Sequence, residues 1–229
     1  MRVFYNQLTA NGNDEMQELA GELGPMTADF SSDVMMDAEL FARIEAVYNQ
    51  RDDLDLSPEQ ATLLAETYRD FVRGGANLGE ADQQRLREIK SEMSTLGPTF
   101  MNNVKKSSED YELVLTSDNE VAGLPDNVLD SARAAAEARG YEGKWLFTLD
   151  IPSFLPFMQY AHRRDLREQI WQAFTHRAYG DAYDNRATIR RIIELRHERA
   201  KLLGYHDHAA YILEKRMAHS SDSVWDFLE

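Results

Sequence analysis

The chain has 229 residues, long enough to bury a substantial core as one large or two small domains. Its 40 acidic side chains outnumber the 25 basic ones, for a formal charge of -15, and the basic residues are interleaved with acids, which disfavours nucleic acid and anionic membrane as partners. Zero cysteines exclude a disulfide framework and thiolate metal ligands, and no stretch approaches the about 20 apolar residues of a membrane span.

In chain order the pattern is nearly all helical. The start, MRVFYNQLTANGNDE, has neither the apolar core nor the small-residue cleavage site of a signal peptide. Asn13 or Asp14 caps a segment carrying Met16, Leu19 and Leu23, and Gly24-Pro25 predicts an interruption before the pattern resumes over 26–36. Leu40, Ile44 and Val47, with Phe41 and Tyr48, form the next amphipathic stretch, and 52–55 is a polar connector. Ser57-Pro58-Glu59-Gln60 is the clearest start signal. A hydroxyl cap, a proline suited to the first turn and a glutamine able to bond back predict a helix running to Gly74-Gly75.

From Glu80, Leu86, Ile89, Met93, Leu96 and Phe100 recur in steps of three and four, the spacing of a long bundle helix, and Pro98 predicts a bend within it. The period then changes. YELVLT and KWLFTLD are short runs of β-forming residues, so a two-stranded element is expected near 111–116 and 144–149, with a helix from Pro125 to Arg139 between them. Two strands alone are marginal, so this element must lean on helices.

Beyond Asp150 the run IPSFLPFMQYAHRRDLREQIWQAFTHRA is aromatic and amphipathic. It leads to Arg186–Ala218, RATIRRIIELRHERAKLLGYHDHAAYILEKRMA. There Ile189, Ile192, Ile193, Ala200 and Leu203 mark one helix and Gly204 its stop. Asp207 caps a second helix whose face is Ala210, Leu213 and Met217, making a tight helical hairpin. Ser220 to Asp222 then cap a helix carrying Val224, Trp225, Phe227 and Leu228. The fold class expected is mainly α, a multi-helix bundle-like array with the small β element, divided into a helical region 1–107, a β/α element 108–150 and a helical region 151–229.

The string RAKLLGYHDHAAYILEKRMA, preceded by KWLFTLD, PSFLPFMQYA and RDLREQIWQAF in that order, closely resembles the thimet-oligopeptidase-like zinc metallopeptidases, the family that includes oligopeptidase A and the peptidyl-dipeptidases. The N-terminal part, from NDEMQELAGEL to ELFARIEAVYNQR, is more diverged but compatible. The resemblance implies the N-terminal half of a zincin-like oligopeptidase, one wall of a channel in which zinc hydrolyses short peptide substrates.

Such enzymes hold zinc with an HExxH helix and a later glutamate. Here the only His-Glu pair is His197-Glu198, and Lys201 stands where the second histidine belongs. His206 and His208 form an HxH pair astride the hairpin connector, a pattern able to bind metal but read first as ties to loop carbonyls. His162, His176 and His219 have no liganding partner at helical spacing. GGANLG, 74–79, lacks a following Lys-Ser/Thr and a preceding strand and reads as a loop, while the acids Asp52-Asp53 and Asp226 with Glu229 read as surface charge. No GxSxG elbow or cysteine nucleophile is present.

No catalytic, cofactor-binding or metal-binding residue is therefore assigned. The expectation is an inactive fragment, with zinc belonging to the parent enzyme and to a missing C-terminal catalytic half. The last helix pattern stops after barely two turns, which fits that expectation. The compartment implied is cytoplasmic, or periplasmic were a signal peptide to precede Met1. The rival reading is an acidic helical scaffold or interaction module with no enzymatic parent.

Overall fold

A computed structural model describes residues 2–229 and contains, among them, eleven helices and two strands. The fold is mainly α with one small antiparallel sheet, as the periodicity predicts. No helix among the described residues is long and apolar enough to cross a membrane. The chain divides into two compact units. One comprises the residues up to Pro98 together with Ile189–Glu229, and the other is Thr99–Thr188.

The discontinuous unit holds α1 (Arg2–Asn11), α2 (Asp14–Met35), α3 (Ala38–Asn49), α4 (Pro58–Gly74) and the first two thirds of α5 (Glu80–Glu109). Nearly all of α9 (Arg186–Leu202), with α10 (His208–Leu213) and α11 (Ser221–Leu228), completes it. Asn13 caps α2 through Oδ1, which accepts from Met16 N at 2.9 Å, and Asp37 does the same for α3 from Leu40 N at 2.7 Å. Ser57 and Gln60 close a reciprocal capping box on α4. That helix stops at Gly75, whose φ of 106° is a left-handed conformation open to glycine at low cost. Leu86, Ile89, Leu195 and Ala200 are fully buried, and Phe41 stacks on Tyr68 and on Phe71 at 5.7 and 6.2 Å between ring centres. Helix α5 is joined to α9 by two forked ion pairs, Arg85 to Glu198 at 2.6 and 2.8 Å and Arg191 to Glu92 at 2.5 and 2.7 Å.

Two expectations are corrected here. Helix α2 runs unbroken through Gly24-Pro25. Proline removes one donor, and the carbonyl it would have served belongs to the exposed Gly21, where water can take its place. The hairpin's second helix is also shorter than predicted. It ends at Leu213, and Met217 is 98% exposed. The backbone N–H groups of Lys215 and Arg216 reach back three residues instead of four, to Ile212 and Leu213, while Glu214 and Lys215 send their side chains to α4.

The continuous unit begins with the last part of α5, which passes through Pro98 as one helix. It continues with β1 (Leu113–Leu115), α6 (Asp126–Ala138), β2 (Trp145–Phe147), α7 (Ile151–Tyr160) and α8 (Arg164–Thr175). The strands pair antiparallel with Leu113 opposite Phe147 and Leu115 opposite Trp145. Leu113, Leu115, Phe147, Phe157 and Ile170 lie in one apolar cluster with Val121 and Leu124. Phe147 packs on Phe157 at 4.6 Å and Phe154 stacks on Phe174 at 4.1 Å. Buried Asn185 donates to Phe100 O at 3.0 Å and accepts from Asn103 Nδ2 at 2.9 Å, tying the loop before α9 to α5.

Candidate functional site: the turn after Arg186–Leu202

The most distinctive string of the sequence folds as a turn between α9 and α10. Gly204, with φ of 82°, lets Tyr205 N donate to Ala200 O at 2.9 Å and close α9. Asp207 then caps α10 through Oδ1, which accepts from Ala210 N at 2.8 Å.

Arg73, in the last turn of α4, holds the turn together. Its Nη1 donates to Tyr205 Oη at 3.0 Å and to a Glu214 carboxylate oxygen, and its Nη2 donates to Tyr211 O at 2.7 Å. The guanidinium also lies 4.1 Å from the centre of the Tyr211 ring. Tyr205 Oη donates to the same Glu214 oxygen at 2.6 Å. Burial, reinforced by Glu214, raises the Tyr205 phenol above its ordinary range. Burial alone would raise the Glu214 carboxyl, but the Tyr205 hydroxyl and Arg73 outweigh it and hold the group low. Lys215 adds a second tie to α4, 3.0 Å from Glu66 and 2.5 Å from Asp70.

Further cationic side chains lie close to this network. Arg199 lies 4.9 Å from the Tyr211 ring centre, and its buried Nε has no hydrogen-bond partner. Lys90 gives its ammonium to Gly74 O at 2.9 Å, and burial, aided by Arg199 and Arg87, pushes its pKa down to about 8. Burial, then Arg199 and Arg196, likewise lowers His208.

The histidines read from sequence are dispersed by these contacts. His206 is 89% exposed at its side chain, with Nδ1 3.0 Å from Asp207 Oδ2, while His208 stacks on Tyr211 with its Nδ1 buried and unpartnered. They do not share a partner. His197 is exposed, and the adjoining Glu198 is held by Arg85, which lowers its carboxyl pKa. His162 donates its backbone N–H to Ala122 O, His176 Nδ1 lies 2.8 Å from Gln172 O, and His219 has a φ of 60°. Among the described residues no three His, Cys, Asp or Glu side chains are grouped to hold a metal ion. Gly74 to Gly79 form the end of α4 and the loop after it.

The chemistry available here is positional, with charge-assisted bonds that fix one turn against two helices. Arg73 and Glu214 were not singled out by sequence reasoning. The one available signal was the tyrosine pair flanking Asp207, since aromatic rings beside a cap invite a cation from elsewhere in the fold.

Residues 157–229 match the model of a protein family described as Peptidase family M3. Over 226 residues the chain is 33% identical to oligopeptidase A of Haemophilus influenzae, covering 96% of this chain and 33% of that protein. It is 31% identical over 227 residues to a dipeptidyl carboxypeptidase of Escherichia coli, covering 99% and 33% respectively. Saccharolysin of Saccharomyces cerevisiae is 24% identical over 230 residues, covering 97% and 31%. The chain thus spans about a third of the length of these relatives.

Proposed function

Because this chain belongs to peptidase family M3, we propose that it is the helical wall portion of a zinc-dependent peptidase that hydrolyses short peptides. Alignment of nearly the whole chain with one third of each relative is the observation that carries this reading. The wall's work is steric. It limits entry to short unfolded peptides and closes on the bound substrate as hinged domains do.

Zinc does not fit the donors of this portion. A catalytic site needs three converging protein ligands and an open position. His206 and His208 take separate surroundings, and Glu198 is committed to Arg85. The metal and the group that activates water therefore belong outside these 229 residues, and this portion alone does not cleave peptides.

The test compares the purified 229-residue chain, given excess zinc and a quenched-fluorescent short peptide, with the product of the uninterrupted reading frame. The longer product should hydrolyse the peptide and lose that activity to a chelator, while the shorter one stays at background and retains no stoichiometric metal. Turnover by the 229-residue chain would overturn the reading. A reading frame that closes at Glu229 and yields no activity would favour the acidic scaffold.

A further inference from the structure

Among the described residues, helix α2 leaves an apolar stripe uncovered. Leu19, Leu23, Met26, Phe30 and Val34 follow one another in steps of four, three, four and four, and at 3.6 residues per turn they fall within about 80° of its circumference. Such steps belong to a helix packed along a second helix. The packed face of α2 points elsewhere, for its buried residues are Ala20, Gly24 and Ser32, and a Cβ on Gly24 would stand 3.2 Å from Ser94 O of α5. Helix α1, which has no buried residue, does not cover the stripe, since Met26 is 65% exposed and Phe30 70%. Single exposed apolar residues are ordinary, but a row of them along one helix face marks a contact surface.

The charges beside the stripe define its occupant. Glu15, Glu18, Glu22, Asp29 and Asp33 lie along one flank, all of them exposed, within roughly the next 80° of arc. Helix α2 contains no lysine, arginine or histidine to offset them. The row takes a cation where the fold brings one near, since Arg87 of α5 meets Asp33 at 2.5 Å, and the other four acids have no ion pair among the described residues. A second copy of this chain would bring another acidic helix to the stripe, and an anionic membrane or a nucleic acid would bring more negative charge. A neutral helix would cover the apolar residues and leave the acid row unanswered.

We propose that the outer face of α2 docks a basic amphipathic helix of a partner protein, its apolar residues on Leu19, Met26 and Phe30 and its lysines or arginines along the acid row. From Leu19 to Val34 the stripe runs about 22 Å, which a partner helix of roughly 14 to 16 residues matches. This binding function involves neither peptide hydrolysis nor a metal. Its failure therefore leaves the proposed function standing, and the reverse also holds.

The experiment titrates the helical peptide acetyl-Leu-Lys-Lys-Leu-Leu-Lys-Leu-Leu-Lys-Lys-Leu-Leu-Lys-Leu-amide into the 229-residue chain labelled with isotopic nitrogen. Saturable shifts are expected along α2 from Glu15 to Val34, with a dissociation constant on the order of 10 µM. A copy with glutamate for every lysine, and a copy with proline at its centre, which cannot form the helix, should each bind about ten-fold more weakly or worse. On the chain, Met26→Gln with Phe30→Gln should weaken binding by about ten-fold or more, and Glu18→Gln with Glu22→Gln by about three-fold or more. All four positions are exposed, so the variants keep the fold. Asp53→Asn with Asp55→Asn, in the connector before α4, should change binding by less than about two-fold. Absence of saturation, shifts centred outside α2, equal binding by the glutamate copy, or an equal loss in the connector variant would overturn the proposal. So would a concentration-dependent dimer of the chain that Phe30→Gln abolishes, which would assign the stripe to a second copy. Binding by the 229-residue chain that the product of the uninterrupted reading frame lacks would assign the stripe to that polypeptide's own residues and overturn it as well.

Discussion

Arg73 donates to the backbone carbonyl of Tyr211 at 2.7 Å while its guanidinium lies over the same residue's ring. One side chain thus fixes both the backbone and the aromatic face of α10, a helix of only six residues that could not persist by itself. The side chain of Arg73 is 10% exposed, so water competes poorly for its bonds.

Replacing it should loosen the turn. Arg73→Ala is expected to cost about 2 kcal/mol, since the Glu214 carboxylate, the Tyr205 hydroxyl and a carbonyl all lose a charged partner. Arg73→Lys should cost roughly half as much, because it keeps the charge without the fork. Urea denaturation measures both, and a loss below about 0.5 kcal/mol for the alanine variant would contradict the role given to Arg73.

The cap of α4 should be worth about 1 kcal/mol, read from the urea midpoint of Ser57→Ala. Ser57→Gly should lose only a few tenths of that unit, because glycine leaves room for water at the orphan donors. Equal losses for the two variants would mean that the hydroxyl acts through its 2.8 Å bond to Glu59 and not through the backbone.

Lys90 predicts an alkaline rise in stability. Its native pKa is pushed down to about 8 from an ordinary value of 10.5, so between those limits the native chain has released a proton that the unfolded chain still holds. Stability therefore climbs as pH rises through that window. Subtracting the curve of Lys90→Met isolates the effect from the tyrosines that titrate nearby. Thermal melts from pH 7 to 10 in which the two proteins run parallel would rule out a depressed Lys90.

Two glycines should respond in opposite directions. At Gly75, with φ of 106°, a Cβ would sit 2.7 Å from Leu86 Cδ2, so Gly75→Ala should cost about 1 to 3 kcal/mol. At Gly21, inside α2 and with nothing within 4 Å of where a methyl group would stand, alanine should stabilise by about 0.5 to 1 kcal/mol. Melting temperatures of the pair check the sign of each.

Local signals were legible and distant ones were not. Ser57, Asn13, Asp207 and Ser220 announced helix starts because a cap acts on an amide two or three residues away. The two strands showed as a change of period, and the helix between them as its return. Helix α1 was missed, its residues reading as an unpatterned start. Pro25 was overread, because a proline breaks a helix only where its neighbours cannot absorb the lost bond. The extent of α10 was misjudged because Glu214 and Lys215 are drawn off by α4. Arg73 and Tyr205 lie 132 positions apart, a pairing that no window along the chain contains.

The unit formed by the residues up to Pro98 and by Ile189–Glu229 sets an order of events during synthesis. When Pro98 leaves the ribosome, the segment that brings Leu195 and Ala200 to that core has not yet been translated. At about 5 to 20 residues per second the gap of some 90 residues lasts several seconds, during which Leu86 and Ile89 must find cover elsewhere. The inserted unit, continuous in the chain, can finish first, so a holdase chaperone captured on stalled nascent chains should prefer those arrested before residue 189 over those elongated past residue 229.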